Sequence, residues 1–202
     1  MDFQLVINRL VRLAKTDFTV FNEIKGDATA TASGVVIVAL ATLLTGLGSW
    51  LWVIFNIDSN YRDALDLSTS DILLKSVIIG GILQVALWVA WVGIAYFVLT
   101  QVFKIQALMP ELLRTMGYAF APMAITLLFF IPVLDLPIGI LALAATAVMT
   151  TVAISACANG RPGQIILANL AGFAVFLIAL GILGNDSTNL APGIFLIDIE
   201  GI

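Results

Sequence analysis

The side chains that usually carry out chemistry are scarce in this sequence. It contains no histidine and a single cysteine, Cys157. Without histidine, the commonest ligand for haem, copper and zinc and the usual general base are both missing. One thiol forms no intrachain disulfide, and near the end of an apolar run it reads as a small buried hydrophobe. No Walker A, GxSxG, HExxH or CxxC pattern occurs. Ion pumps carry ionisable residues inside their membrane spans. Here Asp135 falls in a turn, and Arg62, Asp66 and Lys75 fall in loops or at interfaces, where solvation accounts for them. Gln84, the most polar side chain in the middle of its run, reads as an interhelical hydrogen bond worth about 0.6 kcal/mol; the alternative is a solute contact. The expectation is no catalytic residue, no metal ligand and no cofactor.

The elements that would have to position any site are apolar. Hydrophobic residues make up 61% of the chain and charged residues 11%, against about 45–50% and 25% in soluble domains. Long apolar runs occupy Gly34–Ile57, Val77–Val102, Ala119–Leu134, Leu136–Ala158 and Ile165–Leu183. A hydrocarbon core of about 30 Å takes about 20 apolar residues as a helix, and in lipid only a helix satisfies every backbone group within one segment. The expected fold is all-α: a polytopic membrane bundle of five transmembrane helices with an N-terminal amphipathic interfacial helix. Residues 1–33 form the amphipathic segment and 34–184 the membrane domain, with spans near 34–57, 72–103, 112–134, 136–158 and 164–183. Residues 185–202 form a tail.

Of the nine Lys and Arg, seven (Arg9, Arg12, Lys15, Lys25, Lys104, Arg114 and Arg161) fall on one side of this topology and two (Arg62 and Lys75) on the other. The positive-inside rule puts the N-terminus in the cytoplasm and, after five spans, the C-terminus outside. A net charge of −4 is not the footprint of a nucleic-acid binder.

Met1–Lys15 is amphipathic at helical spacing. Phe3, Val6, Ile7, Leu10, Leu13 and Ala14 form one stripe, with Asn8, Arg9, Arg12 and Lys15 opposite. Such a helix either lies among headgroups with its cations toward anionic lipid or docks on the ends of the bundle. It lacks the continuous apolar core and cleavage site of a signal peptide, so the first span is expected to double as an uncleaved anchor. Asp71 reads as the cap of span two. Pro122 is expected to kink span three, and Leu134–Pro137 to turn tightly into span four. The many Ala, Ser and Thr of span four suggest the centre of the bundle. Ile194, Phe195 and Leu196 make the tail apolar. With Phe3, Ile7, Leu10, Arg9 and Arg12, they are the candidate contacts to lipid or a protein partner.

Glu111-Leu112-Leu113-Arg114-Thr115-Met116-Gly117-Tyr118-Ala119-Phe120-Ala121-Pro122 resembles the Yip1 domain family, in which a Gly-Tyr pair and a proline four residues later open the third span. Phe21–Thr29 is similar to the segment before the first span in prokaryotic members. The Asp-Leu-Tyr-Gly-Pro element of the eukaryotic branch is missing. The resemblance implies membrane organisation rather than catalysis, with Gly117, Tyr118 and Pro122 as structural residues. The expected function is a non-catalytic scaffold or accessory subunit of a complex in a bacterial inner membrane, in contact with lipids and other integral membrane proteins. The alternative is a small-solute transporter or channel.

Overall fold

A computed structural model describes residues 2–56 and 69–184, and among these there is no strand. Two short helices, α1 (Phe3–Ala14) and α2 (Val20–Gly26), precede the long α3 (Ala30–Asn56). The next helical stretch opens as α4 (Thr69–Leu73), widens into a π-helical segment at Leu74–Ile79, continues as α5 (Gly80–Phe97) and ends in a second π segment, Val98–Val102. Then come α6 (Met109–Ala119), a 3-10 helix at Ala121–Phe130, α7 (Asp135–Cys157) and α8 (Pro162–Gly184).

Five stretches are long and apolar enough to cross a membrane: Ala30–Asn56, Leu74–Val102, Met109–Phe130, Asp135–Cys157 and Pro162–Ile182. The chain is a polytopic helical bundle. It packs as two compact units. The first draws on Met1–Val38, Trp88–Ala121 and Ala145–Phe176, and the second on Ala39–Leu87, Pro122–Ala144 and the chain from Leu177.

In the first unit, Leu13, Val20, Phe21, Ile24, Ile37, Tyr118 and Ala153 form one buried cluster, with Val6 and Leu10 of α1 packed against it. An aromatic group lies in the same unit. The ring of Trp91 sits 5.0 Å from Phe173 and 5.4 Å from Phe176, and Gly172 leaves the room that the Trp91 backbone and ring occupy. Polar side chains tie the helices together. Asn169 donates to Ala147 O, Thr150 Oγ1 and Thr151 Oγ1 at 2.9, 3.0 and 2.7 Å, and its Oδ1 accepts from Trp91 Nε1 at 3.0 Å. In the second unit, Thr45 Oγ1 and Thr126 Oγ1 lie 2.6 Å apart. Gly46 lies against the carbonyl of Ser76 in the first π segment, and Gly48 against the carbonyl of Thr126.

Four local expectations are corrected. Span three is not a kinked α-helix but changes type: α6 ends at Ala119 and the chain continues as a 3-10 helix. Pro122 has no N–H to give the carbonyl of Tyr118, and its ring crowds that carbonyl. The turn before span four comes earlier, with Leu134 N donating to Ile131 O at 3.2 Å and Val133 at φ 72°, so Leu136 and Pro137 lie inside α7. Asp71 lies within α4 rather than ahead of it. Span four is not the most enclosed helix. Its most apolar stretch is 28% buried, against 50% in α3 and 56% in Met109–Phe130. The closest approaches use glycines of α3, which bring backbones nearer than alanine allows.

Candidate functional site

The N-terminal helix pair and the Gly-Tyr segment of α6 meet in the first unit. α1 begins with Asp2, whose Oδ1 accepts from Gln4 N and Leu5 N at 3.0 and 3.2 Å. That cap satisfies amides with no partner inside the helix. Lys15 ends the helix and Thr16, at φ 61°, reverses the chain. Arg9 and Arg12 of α1 are paired with acids in and around α2. Arg12 pairs with Asp17 at 2.8 Å and reaches both oxygens of Glu23 at 2.8 and 3.0 Å. Arg9, only 6% exposed, donates to Asp27 Oδ2 at 2.8 Å. The other oxygen of Asp27 accepts from Thr29 N at 2.9 Å and Thr29 Oγ1 at 2.6 Å. One carboxylate therefore holds α1 in place and starts the turn into α3.

The hydroxyl of Thr29 acts most strongly on the Asp27 carboxyl; burial opposes it, and Arg9 adds to it, so that the carboxyl stays below the ordinary carboxylate range. Asp17 is lowered by the Thr19 hydroxyl and then by Arg12.

Tyr118 lies fully buried. Its hydroxyl is 2.9 Å from Ser33 Oγ of α3, and the Arg9 guanidinium faces it. A phenol next to a serine and an arginine gains its polar contacts inside the protein. Next to it, a Cβ on Gly117 would stand 2.7 Å from Gly34 Cα, so only glycine permits this approach of α6 to α3. Lys25 Nζ donates to Ala156 O at 2.6 Å near the end of α7, where helix carbonyls lack internal partners. Arg114 donates to Lys25 O and Thr31 Oγ1, both at 2.8 Å. Four of the cations that set the charge asymmetry thus fasten helix ends.

Among the candidate contacts, Leu10 packs inward while Phe3 and Ile7 point outward, 68% and 54% exposed. Val11, 45% exposed, continues their row at helical spacing. The expected single apolar stripe is therefore divided between the core and the outside. Arg9 and Arg12 turn to Asp27, Asp17 and Glu23. Ile194, Phe195 and Leu196 lie outside the described residues. Sequence reasoning passed over Ser33 and Asn169, and it gave Asp27 and Arg114 no partners. The one available signal was Asn169, the lone amide side chain within the apolar run after Ile165. Cys157 Sγ lies 3.3 Å from Thr115 Oγ1. Among the described residues, no three His, Cys, Asp or Glu side chains lie close enough to share a metal ion.

The apolar helices define the class, a multi-pass membrane protein. The sequence model of the Yip1 domain matches residues 18–184, and the chain belongs to the Yip1 domain family. No curated protein and no solved structure matches it.

Proposed function

We propose that the chain is a non-catalytic integral-membrane scaffold or an accessory subunit of a larger membrane-protein complex. The outward face of α1 carries this reading. Phe3, Ile7 and Val11 are exposed in one row, while Arg9 and Arg12, two of the three cations that would hold the helix on anionic headgroups, are engaged within the protein. A row of exposed apolar side chains on a short helix marks an interaction surface, and its partner is another integral membrane protein alongside the surrounding lipid. Membership of the Yip1 domain family supports the same reading. Mild extraction followed by mass spectrometry tests it. A defined set of membrane proteins should co-purify with the wild type and be lost from a Phe3→Ser, Ile7→Ser, Val11→Ser variant that still inserts; unchanged co-purification refutes the reading.

The location we propose is a bacterial inner membrane, with the N-terminus cytoplasmic and the C-terminus outside. Its warrant is the seven-to-two distribution of Lys and Arg. Single cysteines at positions 15 and 189, in a Cys157→Ser background, should label from opposite sides. Labelling from one side rules out the orientation.

A second reading, passage of a small solute, is favoured by Gln84. This side chain is 1% exposed and both of its amide atoms are unpartnered.

A further inference from the structure

A groove of about 620 Å³ lies in the first unit, lined among others by Thr100, Lys104, Gln106, Glu111, Cys157 and Asn159. Its walls are built by the backbone. The second π segment stops at Val102, and Ile105 N donates back to Leu99 O at 2.9 Å. Lys104 sits between them in the left-handed region, at φ 58°. Gly160, in the turn after α7, receives the end of the Ile105 side chain. Glu111 lies one helical turn before Thr115, whose hydroxyl meets Cys157.

The groove contains one cation and one anion. Among the described residues neither Lys104 nor Glu111 belongs to an ion pair, although most of the cations and acids of α1, α2 and their turns are matched. It also lies where three membrane-crossing stretches end or begin, at Val102, Met109 and Cys157. That is the depth at which hydrocarbon gives way to headgroups. Phe97, Val102 and Leu108, each more than half exposed, stand nearby in sequence as apolar surface for acyl chains.

Opposite charges left unmatched at headgroup depth suit a ligand that carries both signs. A purely anionic headgroup would meet the Glu111 carboxylate unfavourably. Among the described residues no aromatic side chain lines the groove, and these residues supply no cage of the kind that recognises a quaternary ammonium. Carboxylate and amide oxygens instead accept hydrogen bonds from a primary ammonium. We propose that this groove seats the headgroup of a zwitterionic phospholipid bearing a primary ammonium, with the phosphate at Lys104 and the ammonium at Glu111. The proposal stands independently of the scaffold reading.

Delipidated full-length protein in detergent is titrated with phosphatidylethanolamine, phosphatidylcholine and phosphatidylglycerol of identical acyl chains, and bound lipid is counted by native mass spectrometry. The wild type should prefer phosphatidylethanolamine by about three- to fivefold over the other two, the size of one partly solvated charged contact. Glu111→Gln, which keeps an acceptor oxygen but loses the charge, should reduce the preference over phosphatidylcholine. Lys104→Asn should weaken all three lipids; asparagine is chosen because it tolerates the left-handed backbone. Equal binding of phosphatidylethanolamine and phosphatidylcholine by the wild type overturns the proposal without recourse to any variant. A preference for phosphatidylglycerol overturns it as well, and so does glycerophosphoethanolamine competing as well as the intact lipid. Variants that fold and retain the wild-type preference also refute it.

Discussion

Tyr118 and Ser33 meet hydroxyl to hydroxyl at 2.9 Å, both fully enclosed, joining α6 to α3 beneath the buried guanidinium of Arg9. The Gly-Tyr pair is thus a packing device in two parts. Gly117 lets the helices close to backbone contact, and the neighbouring phenol supplies a polar tie at the same level. Removing the tie should weaken the protein without touching its topology. Tyr118→Phe and Ser33→Ala are each expected to cost about 1 kcal/mol. Because they share one contact, the double variant should cost less than the sum of the singles. Thermal unfolding in detergent measures this, and strict additivity would show that the two hydroxyls act separately.

Gly117→Ala should be the more damaging change. The added methyl would meet Gly34 Cα, a backbone atom that cannot rotate away. Overpacking of this kind costs about 1–3 kcal/mol. Gly163→Ala is the matched control, since nothing lies within 4 Å of the position its Cβ would take. Equal stability of the two variants would contradict the close helix approach.

Much of this could be read from the sequence, and the limits have physical causes. Apolar runs dictate helices because lipid offers the backbone no other partner, so the five crossing stretches emerge from composition alone. The motif around Gly117 and Tyr118 was visible, but its partners Gly34 and Ser33 lie more than eighty residues away, in a helix that was apolar at every plausible face. The charges of α1 were misleading because a helical projection treats the helix as isolated. Asp17, Glu23 and Asp27 follow in α2 and its flanking turns, which fold back on α1, and they pair with Arg9 and Arg12. The alanines of span four suggested close packing, yet Gly34, Gly46 and Gly48 of α3 provide it.

Acid should release the N-terminal helix pair. Asp27 and Asp17 both have carboxyls held below their ordinary range in the folded state. The stabilisation they give is complete above the unfolded carboxylate pKa of about 4 and disappears as pH falls through their lower folded values. Hydrogen exchange of α1 amides should therefore be flat from neutral pH to about pH 5, after correction for intrinsic rates, and rise steeply below about pH 4. Asp27→Asn should raise α1 exchange at neutral pH and flatten the rise. An α1 whose protection is unchanged at low pH would show that its apolar contacts alone hold it.

The two buried amides, Asn169 and Gln84, should respond in opposite directions to the same chemical change. Asn169 uses both ends of its amide: its nitrogen donates to α7, and its oxygen accepts the indole of Trp91. Asn169→Leu removes those bonds, and the indole keeps only the backbone carbonyl of residue 169, at 3.2 Å. A loss of about 1–3 kcal/mol is expected. Gln84 is as deeply buried but makes no hydrogen bond with either amide atom. An amide in that state carries its desolvation cost without compensation, so Gln84→Leu should leave stability unchanged or raise it. Thermal unfolding of the two variants beside the wild type decides the matter. Should Gln84→Leu destabilise the protein as Asn169→Leu does, the amide must be satisfied by a water or solute within the membrane, and solute passage would gain weight over the scaffold.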